Sequence, residues 1–381
     1  MTISWFCFWI CVGAICVAVS AVMGAEAPPD RQRVREPAVA GLFYPESARE
    51  LSREIERCLE QAKPHPVENL RALIVPHAGY TYSGPVAAYG YRLVQGRAFS
   101  TVVVLAPSHY ALLDGASVCA ADVFRTPLGD VPISPQAARL AEKPPFQREP
   151  RCRVQRPSWA SQSSRSRPAA GEETAETWEH ADEVQVPFLQ KTLGKFALIP
   201  VVMGEVDAAR AAGVLSEFVD DSTLIVVSSD LSHYHADAEA RRLDTRCVEA
   251  ICRLDVEAME SQEACGKVPI QTLLHIARAK GWKARLLDCR NSGEVTGDRG
   301  RGVVGYAAIS FHAPAAERLA RAEQELLLQW ARAAVRQATA QQTVTVPDKE
   351  KANGRLNEVR ACFVTLTKGG ELRGCIGHIQ P

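Results

Sequence analysis

From Leu70 to Phe311 the chain repeats one pattern: a short β-branched or aliphatic run, then a longer stretch with apolar residues at helical spacing. The short runs fall at 72–75, 101–105, 198–203, 223–227, 284–287 and 303–310. The longer stretches cover 85–94, 182–192, 208–218, 236–253 and 270–280. An earlier stretch, 46–62, sets Leu51, Ile55 and Leu59 on one helical face at i, i+4 and i+8. Strand alternating with helix predicts an α/β fold: a mostly parallel central sheet covered by helices on both faces. One large domain, 33–313, accounts for this region.

The remainder divides around that domain. A length of 381 residues leaves room for a second unit. Lysine plus arginine and aspartate plus glutamate each number 44. No global field therefore draws the chain to nucleic acid or to an anionic membrane. Residues 1–26 hold an almost wholly apolar run, Trp5 to Met23, closed by Ala21-Val22-Met23-Gly24-Ala25. That composition suits a signal peptide or an N-terminal anchor, which would export the chain or tie it to a membrane. Against this, no lysine or arginine precedes the run, and a wrongly chosen start codon is the alternative.

Twelve cysteines are present, three of them in the leader, and no C-x-x-C pair occurs. The others read mainly as small buried apolar residues, with Cys265 set apart.

Two segments break the pattern. Residues 147–177 are rich in Arg, Ser, Pro and Glu and read as a disordered or poorly packed insertion. After Pro314 comes a strongly helical stretch, 315–339, then a polar linker and an expected hairpin over 361–367 and 372–376. The sequence stops at Pro381, before that hairpin closes a core, so 314–381 is expected to be the truncated start of a second α+β domain.

Three of the expected strands run into polar loops carrying histidine: Val75-Pro76-His77, Pro107-Ser108-His109 and Ser229-Asp230-Leu231-Ser232-His233. Ligands of open α/β sheets bind beyond the carboxyl ends of the strands, so the three loops are expected to share one rim. Neutral imidazoles suit iron, copper and zinc, and a carboxylate or thiolate completes such a set. Asp230 is placed either to ligate or to hold an imidazole in one tautomer. Cys265 precedes a helix start, where a thiol pKa is lowered, and reads either as a thiolate or as a structural cysteine. His180 is either a capping residue or part of the site. His235, His275 and His312 read as structural. Gly300-Arg301-Gly302-Val303-Val304-Gly305 matches G-x-G-x-x-G but runs into a strand, which fails the dinucleotide context.

Several of these motifs resemble the Memo family. They are Ala38-Val39-Ala40-Gly41-Leu42-Phe43-Tyr44-Pro45, then Pro76-His77-Ala78-Gly79-Tyr80, Pro107-Ser108-His109, Glu179-His180-Ala181-Asp182-Glu183, Ser228-Ser229-Asp230-Leu231-Ser232-His233, Cys265-Gly266 and Asn291-Ser292-Gly293-Glu294. The tail, Leu372-Arg373-Gly374-Cys375-Ile376-Gly377, resembles the AMMECR family. Together these look like protein B of the AmmeMemoRadiSam system carrying the start of protein A. The resemblance implies a fold similar to class III extradiol dioxygenases, with His77, His109 and Cys265 as ligands of Fe or Cu.

By the same resemblance Asp230 and His233 are catalytic, His233 as acid/base, with His180 and Tyr80 as further pocket residues. A thiolate in place of the dioxygenase carboxylate favours softer metals such as copper. Two functions follow: a metal-dependent oxidoreductase, or a non-catalytic module whose old cleft binds a peptide or a protein. A radical SAM protein is the expected partner, which implies a cytoplasmic setting and conflicts with the leader.

Overall fold

A computed structural model describes residues 32–163, 168–169, 171–300, 302–314, 321–344, 362–369 and 371–378. Its centre is a nine-stranded mixed sheet. Four parallel strands occupy the middle in the order Leu70–Val75, Thr223–Ser228, Thr101–Pro107 and Ala197–Met203. At one margin Val303–His312 runs antiparallel to Leu70–Val75 and also pairs Lys283–Asn291 and His233–His235. At the other, Ala116–Val118 runs antiparallel to Ala197–Met203, and Phe146–Arg148 lies parallel to it.

The continuous apolar runs follow from burial on both faces. Successive side chains of a strand point to opposite faces. Ala72, Ile74, Val103, Leu105, Ile225 and Val227 accordingly join one core cluster. Leu73, Val75, Val102, Val104, Leu224 and Val226 join the other. The first cluster takes in apolar residues of the helices Ala208–Leu215, Asp237–Cys252 and Lys267–Ala279. The second takes in Ala48–Gln61, Tyr80–Val94 and Val186–Thr192. Ser47 caps the first of these helices, its hydroxyl accepting from the Glu50 N–H, and Leu51, Ile55, Cys58 and Leu59 are its buried face.

The described part of 147–177 differs from the expectation of disorder. Arg153–Val154 pairs with Ala111–Leu112, Ser158–Ser161 forms a 3₁₀ turn, and Ala160, Ala175, Glu176 and Thr177 are buried. These pieces are only two to four residues long, too short for a periodic signal, and single buried residues anchor them. Residues 164–167 and 170 lie outside the described residues, as do the leader 1–26 and residues 315–320. The helix Arg321–Thr339 is present, and Cys362–Lys368 pairs antiparallel with Glu371–His378. Among the described residues no helix is long and apolar enough to cross a membrane.

Candidate metal centre

The parallel strands end on one rim. His77 follows Leu70–Val75, and His109 follows Thr101–Pro107. Cys265 arrives from the start of the helix Lys267–Ala279. The ligand atoms of these three side chains lie within 4.8 Å of one another. The Cys265 Sγ is 3.1 Å from the His77 Nε2, and the two imidazoles meet edge to face at 5.1 Å.

Hydrogen bonds decide which nitrogen each ring presents. Ser228 has one hydroxyl proton, which it donates to the Ala181 carbonyl at 2.6 Å. Its oxygen accepts from the Gln185 side-chain amide at 2.7 Å. That amide is fixed in turn, because its nitrogen donates to the Pro76 carbonyl and its oxygen accepts from the Tyr91 hydroxyl. The His77 Nδ1, 2.8 Å from the Ser228 oxygen, must therefore be the donor of that pair. The Nε2 lone pair is left facing Cys265.

His109 is held in the same sense, its Nδ1 lying 2.8 Å from Glu179 Oε1 while the other carboxylate oxygen accepts from the His109 backbone N–H. Both rings thus carry a bonded outer nitrogen and an inward one, the arrangement that orients metal-ligating histidines.

Cys265 is fixed by its backbone. Its N–H donates to the Asp230 carbonyl, and the Asp230 N–H donates to its sulfur at 3.2 Å. Gly266 donates to Ser229 Oγ at 3.0 Å. A Cβ at Gly266 would stand 2.6 Å from the Ser229 Cβ and 2.7 Å from the Ser228 carbonyl oxygen, so glycine is required for this approach.

Electrostatics follow burial and pairing. Burial holds His77 well below the usual imidazole range, helped by the neighbouring His109, His180 and His233. Burial opposes charge on His109 too, but the Glu179 carboxylate and Cys265 outweigh it and raise its pKa to about 11. Glu179, despite burial, is lowered to about 2 by His109. Cys265 departs from the sequence expectation of a lowered pKa: burial raises the thiol, and the hydrogen bond from His109 only partly offsets this.

The remaining sequence-derived residues fall around this centre. His180 stacks on His109 with ring centroids 4.6 Å apart, and burial lowers its pKa to about 4. Glu179 and His180 form a second donor group with His109. However, Glu179 Oε1 already accepts from His109 Nδ1 and from the His180 and Ala181 N–H groups, which makes it an orienting acceptor. Asp230 Oδ1 accepts from the His77 N–H at 2.8 Å and so braces the His77 loop; burial raises its carboxyl to about 6.

His233 lies on the short edge strand, its N–H donating to Glu263, near enough for its charge to act on His77 and Asp230. Tyr80 departs from its expected place in the pocket. It is buried, its hydroxyl donates to the Val184 carbonyl at 2.6 Å, and it packs on Tyr44 and Phe188. It stands at the first position of the core helix Tyr80–Val94. Ser228 and Glu179 lie within the motifs quoted from the sequence, but neither they nor Gln185 are assigned there as partners of the imidazoles. Glu179 alone left a signal, as the neighbour of His180.

Residues 35–310 match the family model described as Memo-like protein. The chain belongs to the Memo family. Members similar to it include one from Thermoplasma acidophilum, 32% identical over 72% of this chain and 97% of that protein. Another, from Aeropyrum pernix, is 35% identical over 73% of this chain and 99% of its own length. A third, from Aquifex aeolicus, is 34% identical over 73% and 99%. Residues 328–381 match the AMMECR1 family model. A solved structure of an uncharacterized Escherichia coli K12 protein aligns with TM-score 0.39 and 12% identity over 63% of this chain and 99% of that one.

For this Memo family member the donor chemistry fits a transition metal. Two imidazole nitrogens and a sulfur converge from fixed backbones, a set suited to copper, zinc or iron, which would displace the inward proton that Glu179 and Cys265 favour on His109. A bound cation would also reverse the effect of burial on Cys265, since a coordinating thiol is deprotonated.

Proposed function

We propose that this chain binds one iron or copper ion through His77, His109 and Cys265 and uses it in an oxidoreduction. The observation that supports this most is the pair of outward-bonded imidazoles whose Nε2 atoms face a common thiol. The sulfur favours copper over a harder ion. When bound, the metal would supply one-electron chemistry and Lewis acidity.

The chain's own residues do the rest. Ser228 and Glu179 fix the ring tautomers, and Asp230 holds the His77 loop through its N–H. His233, partly exposed at the rim, serves as the proton carrier. A cavity of about 580 Å³ reaches Cys265 and gives a small molecule access.

A second reading is a non-catalytic module that holds a peptide or a partner such as a radical SAM protein. The 73% exposed Leu112 beside the Cys265 cavity and the AMMECR1-type segment favour it. Metal content decides between the two. Elemental analysis of the full chain, purified with and without oxygen, is expected to give about one Fe or Cu per chain. A His77→Ala, His109→Ala, Cys265→Ala variant should bind none. A wild-type protein that stays metal-free after reconstitution would end the oxidoreductase reading and favour the binding module.

A further inference from the structure

We infer that a second cavity, beside His109, is a binding site for a small organic carboxylate, with Arg153 as the residue that recognises it. The inference rests on the metal reading only in that the cavity opens on one of the proposed ligands. Its volume is about 520 Å³, within the range of small-molecule pockets. Its walls include His109, Tyr110, Leu112, Arg153 and Gln155.

Charge distinguishes this cavity from the one that reaches Cys265. The Cys265 cavity has Asp114 and Glu205 in its wall against Lys267. No carboxylate lines the His109 cavity, and its cationic side chains are Arg153 and the His109 ring, whose charge is matched by Glu179. The Glu179 carboxylate behind His109 is fully buried and already engaged by the His109 ring and three backbone N–H groups.

Strand pairing places Arg153 opposite Leu112, at the mouth. Arg156, three positions on, is taken by Glu173, and the other described arginines of the segment, Arg148 and Arg151, do not line this cavity. Among the described residues the Arg153 guanidinium has neither an ion pair nor a hydrogen bond, and Gln155 offers a second side-chain donor in the same wall. A planar guanidinium matches a carboxylate through two parallel hydrogen bonds. A ligand that fills the cavity would set its acid on Arg153 and its other end toward His109.

Benzoate and its neutral isostere benzamide test this by titration calorimetry on the full chain, as purified and after chelation. Wild type is expected to bind benzoate roughly tenfold or more tightly than benzamide, since charge-assisted pairs are about twice as strong as neutral ones. Arg153→Gln should abolish the preference, Arg153→Lys should restore part of it, and high salt should weaken it. Equal binding of the two probes by wild type would overturn the assignment. So would a preference that survives Arg153→Gln but disappears on chelation, because the carboxylate would then sit on the metal. A preference that persists in chelated wild type and is lost in Arg153→Gln supports the site, whatever becomes of the metal reading.

Discussion

Two buried polar clusters lie within a few residues of each other, and they are finished in opposite ways. Around Glu183 every acceptor position is filled. One carboxylate oxygen accepts from the Val39 N–H and the Tyr44 hydroxyl; the other accepts from the Ala38 N–H and the Arg35 guanidinium. Arg35 also donates to the Glu176 and Glu179 carbonyls. This knot, in which Glu183 is saturated and the Arg35 Nε is left without a partner, fastens the segment around Ala38 to the loop that carries His180. At His77, His109 and Cys265 the partners lie only on the outside, and the inner atoms face one another. A closed network holds a structure together. One satisfied outside, whose inner imidazole nitrogens meet only the Cys265 sulfur, is shaped for something that enters among them.

The largest expected effect tests the closed cluster. Glu183→Gln leaves the buried Arg35 guanidinium with only the more distant Asp182, at 3.9 Å, as a counter-charge, and breaking a buried pair costs about 3–5 kcal/mol. Urea unfolding should show this as a lower midpoint at nearly unchanged slope. A loss under about 1 kcal/mol, the range of surface pairs, would mean the knot is not a fastening.

Glu179→Gln tests the open cluster. Freed of its carboxylate partner, the His109 ring loses its fixed orientation, and metal affinity should fall about 10–100-fold. Competition against a calibrated chelator would measure it, and an unchanged affinity would remove the case for orientation.

Asp182 stands between the clusters, and both its oxygens are buried without a hydrogen-bond partner. Burial lifts its folded pKa from an ordinary 3.8 to about 8, against the pull of Arg35. The folded chain therefore keeps a proton that the unfolded chain has released between those values, and stability falls as pH rises through this window. Glu176, raised by burial to about 7, acts in the same direction. Asp182→Asn should flatten the decline between pH 5 and 8; an unaltered slope in chemical melts would assign it elsewhere.

The smallest effect belongs to the rim. Leu112→Ser, at a residue 73% exposed, should change stability by no more than about 0.5 kcal/mol and leave metal content unaltered. A larger loss of stability would show that Leu112 packs against more than the rim.

How far these features were legible depends on how they are encoded. Runs such as Thr101–Pro107 announce themselves because both faces are buried, so every position after Thr101 is apolar. The strand-end histidines could be read because each sits directly after such a run. The partners that set their tautomers could not. Ser228 and His77 are 151 positions apart, and Glu179 and His109 are 70 apart, so no local spacing links them. The strands Ala116–Val118, at the margin of the central sheet, and Val123–Thr126, in a separate three-stranded sheet, are three and four residues long, shorter than the window in which alternation becomes distinct. Tyr80 was misplaced for a related reason. The helix that buries it begins five residues before Pro85, where the sequence suggested a start.

His77 and Cys265 lie 188 positions apart and meet only through Gly266, which the backbone around Ser228 admits without room for a side chain. During synthesis the sulfur is therefore the last donor to arrive, after both imidazoles and their orienting partners have left the ribosome. Contacts of such separation form late in folding. On the proposed reading, metal capture by all three donors would thus report that the chain has folded as far as Cys265, and a chain halted before it would have only a two-nitrogen site to offer.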